Sequence, residues 1–424
     1  MARGWHMLIT PHDPIGLLRN AQHVRFTLQK YLEHILTCDY GGTIVKDLSF
    51  WDTRSLCAML TSHPTANAVI QCTGEVARNL INLLQACIDN GHISAGSKQR
   101  LVRTLIKLSK ASQMVPRALL LNDVYFHTEP FAYGGFGDVH RGVWNEQEVA
   151  VKIVKVKKLK TIQQLAAEAA HEAVTHRHLE HLNITPFYGV FYEDNSQAVC
   201  LVSALMRSNL QDFLHAKGDY VDCIRLALDV AQGLEYLHQE NIVHSDLKSM
   251  NVLVSANERA FLADFGIAKS VDTGTYKQTT ELNGTLYWMA PELFTENESS
   301  SAHATKASDI FAFGLVCYEM FSGLTPFDGV VSIGFPPSYR GKRPPFPGDG
   351  TPAEARGLHP YIWEHIEECW AQDPNDRPSA EQAVQFYLGE LDPRAPPDSR
   401  NVDVFNSPAL IPTPENIAWS FMVW

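Results

Sequence analysis

The stretch "IVHSDLKSMNVLV", Ile242 to Val254, places an aspartate, a lysine and an asparagine (Asp246, Lys248, Asn251) between two apolar runs. Apolar residues on both sides belong to a core, so the three polar groups read as a loop carried by that core. Upstream, "CIRLALDVAQGLEYLHQ" has the apolar spacing of a long helix. Downstream, "LADFG" adds a second aspartate, Asp264, followed by Phe265. Two acids, an amine and an amide so close in sequence pose the question of what they hold.

The bulk of the chain narrows the answer. Its 424 residues are too many for one comfortable core and suggest two or three folding units. A net charge of −12 argues against general nucleic-acid binding. The eight cysteines are scattered with no C-x-x-C pair, so they read as free thiols in a reducing compartment. The most apolar run, "DIFAFGLVCYEMFSGL", is shorter than a bilayer span and contains Asp309 and Glu319. The N-terminal "MARGWHMLIT" is too short and polar for a signal peptide, which leaves a cytoplasmic address, or a nuclear one, as the default expectation.

Residues 1–115 read as a small helical module. "TGEVARNLINLLQACIDNG" and "GSKQRLVRTLIKLSKAS" both carry apolar residues at helical spacing. This segment holds 12 Lys and Arg against 7 Asp and Glu, whereas the rest of the chain is acidic. Two partners are open for it: the remainder of the chain or another protein. A linker over 116–123 follows. From Val124 the texture turns β-branched, as in "EVAVKIVKV", and then mostly helical, which suggests an α+β unit in two lobes. After Leu391, "DPRAPPDSR" opens a proline-rich tail over 393–424 that ends in the apolar "IAWSFMVW".

Moving a phosphoryl group requires nucleotide phosphates held still, cations on the developing charge, and a base beside the incoming hydroxyl. "FAYGGFGDVHRGVW" offers the phosphate cover: Gly134 and Gly137 with Val139 fit a strand–turn–strand, and Ala132 occupies the place of a further glycine. Lys152, in "VAVK", is the anchor beneath it, and Glu168 and Glu172 lie four apart on one face of the next helix. Asp246 is the candidate base and Lys248 the group that steadies the transferred phosphate. Asn251 and Asp264 are candidate ligands for Mg²⁺, which prefers oxygen donors and keeps several waters.

The ordered series of glycine turn, VAVK, Glu172, HSDLKSMN, DFG and "GTLYWMAPE" makes residues 124–392 resemble a eukaryotic protein kinase domain. "CWAQDPNDRPSAEQ" and "GTLYWMAPEL" are similar to the tyrosine-kinase-like group of serine/threonine kinases, and the lead-in "KLSKASQMVPRALLLNDV" looks like kinases abundant in fungi. The resemblance implies the bilobal kinase fold: a small β-rich lobe with one long helix, then a large helical lobe, here preceded by the all-α module. It implies ATP in the cleft, Mg²⁺, and protein substrates. It selects Glu172 as the partner of Lys152. It implies a hinge over Ser203, Leu205 and Met206, with Ser203 as gatekeeper, and an adenine slot between Val139, Ala150 and Leu253. Asp309 is expected to brace the catalytic loop and Glu292 to pair with Arg377; His176 stands where the family usually has an apolar residue stacked on Phe265 and His244, and reads as a packed histidine rather than a pH-sensitive stack. Lys248 and Thr285 fit the serine/threonine pattern.

One departure bears on regulation. Ser245 stands where most kinases carry an arginine that grips an activation-loop phosphate, and a serine cannot form that charge-assisted fork. The segment "SVDTGTYKQTTELN" is therefore expected not to switch activity through that contact. With every chemical residue present, an active kinase is the leading expectation. A nucleotide-binding scaffold acting through the helical module is the alternative.

Overall fold

The computed structural model describes residues 63–89, 93–134, 137–154, 162–193, 198–265, 285–294, 303–327, 338, 341–348, 350–391, 398 and 400. The activation-segment threonines, Tyr276 and the apolar C-terminus lie outside these residues, as do residues 1–62 of the N-terminal module.

Three helices come first: α1 (His63–Ile70), α2 (Gly74–Asp89) and α3 (Ala95–Ser112). Ser94 caps α3 by accepting from the Ser97 N–H, and Gln113 ends it in the left-handed region at φ 61°. Leu80, Ile81 and Leu84 of α2 and Leu101, Leu105 and Leu108 of α3 are buried, on the apolar spacing visible in the sequence.

The small lobe is an antiparallel sheet in the order β1-β3-β4-β6-β5, with β2 paired to β3. Its strands are β1 (Tyr125–Phe126), β2 (Ala132–Gly134), β3 (Gly137–Trp144), β4 (Gln147–Val154), β5 (Phe187–Glu193) and β6 (Ala198–Ala204). Asn145 and Glu146 join β3 to β4 with φ of 47° and 65°. That is the two-residue turn with both centres left-handed, whose twist matches that of the flanking strands. Helix α4 (Ile162–Arg177) crosses between β4 and β5.

Alternation along β6 divides the lobe's interior. Cys200 and Val202 face a core with Val149, Val151 and Phe261. Val199 and Leu201 face the opposite core, which holds Val190, Ala169, Ala173 and Val174 together with the buried side of α2 and α3. The N-terminal helices thus share one continuous core with α4 and the sheet.

In the large lobe, β7 (Ser208–Asn209), β8 (Val252–Val254) and β9 (Ala260–Leu262) form a small second sheet. Helices α5 (Leu210–Lys217), α6 (Cys223–Gln239), α7 (Lys306–Ser322), α8 (Pro352–Ala355), α9 (Pro360–Cys369) and α10 (Ala380–Glu390) complete it. The interior of α7 is buried from Ser308 to Ser322, so it is the axis of this lobe. A capping box of Thr305 and Ser308 starts it, and Gly323 at φ 73° ends it. β9 spans both lobes: Phe261 enters the small-lobe core while Ala260 and Leu262 enter the large-lobe core. Two residues later the chain reaches Asp264, at the seam.

Beyond α10, the described residues Asp398 and Arg400 return to the large lobe. Asp229, on α6, is 1% exposed and takes both guanidinium nitrogens of Arg400 at 2.9 and 3.1 Å. Arg259 donates to Asp398 at 2.9 Å and reaches Asp229 at 3.4 Å. Burial lifts the Asp229 carboxyl above its usual value, against the pull of Arg400 and Arg259. Among the described residues, no helix is long and apolar enough to cross a membrane.

Candidate active site

Antiparallel register brings together the residues expected on the nucleotide side. Ala132 pairs with Val139, Gly134 with Gly137, and Val139 with Lys152. A Cβ at Gly137 would collide with the Ile153 carbonyl, so this position admits glycine alone. Ala150 pairs with Ser203 across β4 and β6. Leu205 and Met206 follow β6, and both Met206 and Leu253 pack on the small-lobe core.

Lys152 projects from β4 between two carboxylates. Its Nζ is 2.6 Å from Asp264 Oδ1 and 3.9 Å from Glu172 Oε1. Burial opposes the ammonium charge, but Asp264 and Glu172 outweigh it and hold Lys152 above its ordinary value. Burial likewise pushes Asp264 up, and the charge and hydrogen bond of Lys152 more than reverse it, leaving Asp264 below the usual carboxylate range. Both groups stay ionised at neutral pH.

The catalytic loop folds around its own acid. Asp246 Oδ2 accepts from Lys248 Nζ at 3.0 Å and from Asn251 Nδ2 at 3.0 Å, and the same Nδ2 donates to the Asp246 carbonyl at 2.7 Å. With Nδ2 committed to Asp246, Asn251 keeps its Oδ1 as an acceptor, the atom a hard cation takes. The Asn251 carbonyl accepts from the Ala263 N–H at 2.9 Å, which ties the loop to the residue before Asp264. Since Asp264 follows Ala263 and meets Lys152, that backbone bond joins the two clusters into one site. Ser245 and Asp264 flank it in the left-handed region, at φ 63° and 51°, an uncommon backbone for side-chain-bearing residues.

The scaffold beneath is a set of buried acids on α7. Asp309 accepts from the backbone N–H of His244 at 2.8 Å, that of Ser245 at 2.9 Å, and His238 Nε2 at 2.8 Å. Those two backbone bonds hold Ser245 in its strained conformation. His176 packs on Phe265 with ring centroids 4.1 Å apart and the planes tilted by 38°, and His244 meets the same ring edge-on at 6.1 Å. Burial pushes the His176 imidazole down to about 3, so it packs as a neutral ring. Glu292 and Arg377 form a fork at 2.7 and 2.8 Å.

Two members of this scaffold escaped the sequence reading. His238 lies in "YLHQ" with nothing to mark it. Glu319 did carry a signal, a lone acid inside the apolar run of α7, since an unpaired carboxylate is almost never buried. Its oxygens accept from Ser249 Oγ at 2.9 Å and Trp288 Nε1 at 2.8 Å, joining the catalytic loop to the segment after it. Burial pushes the Glu319 carboxyl up to about 8, against the hydrogen bonds from Trp288 and Ser249. The unfolded chain releases this proton near 4.5, and the folded chain holds it to about 8. Stability is therefore expected to fall as pH rises between those values. Glu319→Gln, which keeps the shape without the titration, should flatten that slope in denaturant midpoints measured at pH 5 and pH 8.

Among the described residues, no group of three or more His, Cys, Asp or Glu is placed to hold a metal ion alone. A cation bound by Asn251 and Asp264 would need oxygens from a phosphate ligand and water.

Known proteins resemble this chain in sequence. The protein tyrosine and serine/threonine kinase family matches residues 127–386. The serine/threonine-protein kinase STY17 of Arabidopsis thaliana is 34% identical over 282 residues, covering 64% of this chain and 45% of that protein. The serine/threonine/tyrosine-protein kinase HT1 of the same plant is 32% identical over 263 residues, covering 60% of this chain and 63% of that protein. A probable serine/threonine-protein kinase of Dictyostelium discoideum is 31% identical over 265 residues, covering 60% of this chain and 18% of that protein. The chain thus spans less than two thirds of each relative. With the family match covering more than half of its length and the site geometry in place, this chain belongs to the protein tyrosine and serine/threonine kinase family.

Proposed function

We propose that the chain is an ATP-dependent, Mg²⁺-requiring kinase that phosphorylates serine and threonine hydroxyls of protein substrates. The observation that carries this reading is the single site in which Lys152 meets Asp264 and Asp246 meets Lys248 and Asn251. Lys152 anchors the nucleotide phosphates, held in place by Glu172. Asn251 and Asp264 would hold Mg²⁺, which would supply positive charge beside the transferred group. Both hydrogen bonds to the Asp246 side chain fall on Oδ2, so Oδ1 is the oxygen that receives the acceptor hydroxyl's proton. Lys248 steadies the γ-phosphate against that same carboxylate. Transfer then needs positioning and charge stabilisation more than covalent help.

A scaffold that only binds nucleotide is disfavoured, because no residue assigned to chemistry is missing. The test is incubation of the full chain with labelled ATP, Mg²⁺ and a basic protein substrate, followed by phosphoamino-acid analysis. Phosphoserine and phosphothreonine are expected, and chelation of Mg²⁺ should abolish them. Tyrosine as the sole product would overturn the hydroxyl assignment, and no Mg²⁺-dependent transfer at all would favour the scaffold.

A further inference from the structure

Glu172 is the one chemical residue that stands on α4, and α4 is anchored largely by helices outside the family match. Ala169 and Ala173 bracket Glu172 and are 2% and 0% exposed in the core shared with Leu101, Leu105 and Leu108 of α3. Small residues on this face let α3 approach closely, so a shift of α3 is passed to α4 rather than absorbed by flexible side chains. The contact runs along both helices. Ala169, Ala173 and Val174 of α4 meet Leu101, Leu105 and Leu108 of α3 in that one core, so Glu172 lies within the packed stretch of the helix. At 3.9 Å, Glu172 Oε1 stands at the outer limit of an ion pair with Lys152, so a small displacement of α4 ends the contact.

We propose that α1–α3 belong to the catalytic apparatus, with Leu105 of α3 a positioning residue that sets the Lys152–Glu172 pair through α4. This rests on the reading that Glu172 orients Lys152 for nucleotide. The N-terminal segment then serves as a positioning element built into the chain, and its packing on α4 sets catalytic output.

The experiment is a double-mutant cycle on the full chain. Leu105→Ala, Glu172→Gln and the pair are compared by kcat and KM for ATP, below the melting transition of every variant. Leu105→Ala should lower kcat/KM about tenfold in the parent, yet less than about twofold once Glu172 is already Gln, because groups acting as a unit are not additive. Should Leu105→Ala fail to fold, Leu105→Val is read in the same cycle. An equal loss in both backgrounds, or none in either, would overturn the proposal, since a purely structural leucine acts independently of residue 172. If Glu172→Gln alone left kcat/KM unchanged, the Lys152–Glu172 pair would leave the catalytic reading and the positioning role would fall with it. Phosphorylation tested in parallel would show whether the kinase reading survives that result.

Discussion

Asp246→Asn is expected to slow phosphoryl transfer by a factor on the order of 10²–10⁴, the range general bases contribute, while nucleotide binding is retained. The substitution is close to isosteric. Its amide oxygen can still accept from Lys248 and Asn251, which lie 3.0 Å from Oδ2 in the parent. The loop is also held by contacts that the change leaves alone: the backbone bonds from His244 and Ser245 to Asp309, and the Asn251 contact to the carbonyl of residue 246. What is lost is an oxygen basic enough to take the hydroxyl proton. Single-turnover transfer measured beside equilibrium nucleotide binding separates the two effects. Transfer that survived at the parent rate would remove Asp246 from its role.

Arg377→Ala is expected to produce the largest loss of stability, roughly 3–5 kcal/mol, the range for breaking one side of a buried pair. The Arg377 side chain is wholly buried, and its partner Glu292 is only partly so. Besides the two bonds to Glu292, the guanidinium donates to the carbonyls of Ala307 and Ala371 and lies 4.9 Å from the centre of the Phe311 ring. Removing it leaves a carboxylate and the carbonyls of Ala371, Gln372 and Ala307 without their donor, the last of these at the start of α7. Single domains have on the order of 5–15 kcal/mol in total, so the variant should melt well below the parent in a thermal scan. A shift of only a degree or two would show that the pair is dispensable. Glu292→Ala should be milder, because Arg377 keeps its carbonyl partners and Glu292 is part-exposed.

Much of this architecture could be read from the residues. The chemical groups sit in short motifs whose neighbours are apolar, so the sequence indicates both their identity and their local structure. The nearly unbroken apolar run "AVCLVSA" fits a strand buried on both faces, and the spacing in α3 reports one buried face. Asp309 and the Glu292–Arg377 fork were accessible only through resemblance, because their partners lie far along the chain. His238 carried no signal, and Glu319 showed only that it is an acid in an apolar run, not what it holds. Each gains its meaning from a contact some 70 residues away in sequence: His238 with Asp309, and Glu319 with Ser249. Periodicity carries no such information. The same limit hid the sharing of a core between α3 and α4. An amphipathic stripe shows that a helix face is covered without naming what covers it.

The contact of Arg400 with Asp229 bears on where this protein can be cut. A fragment ending after α10 would retain the buried carboxylate but keep only Arg259, at 3.4 Å, to neutralise it. Two acids and two bases close a quartet with no net charge, and half of it comes from beyond residue 391. The smallest piece that preserves this electroneutral clasp therefore extends through Arg400.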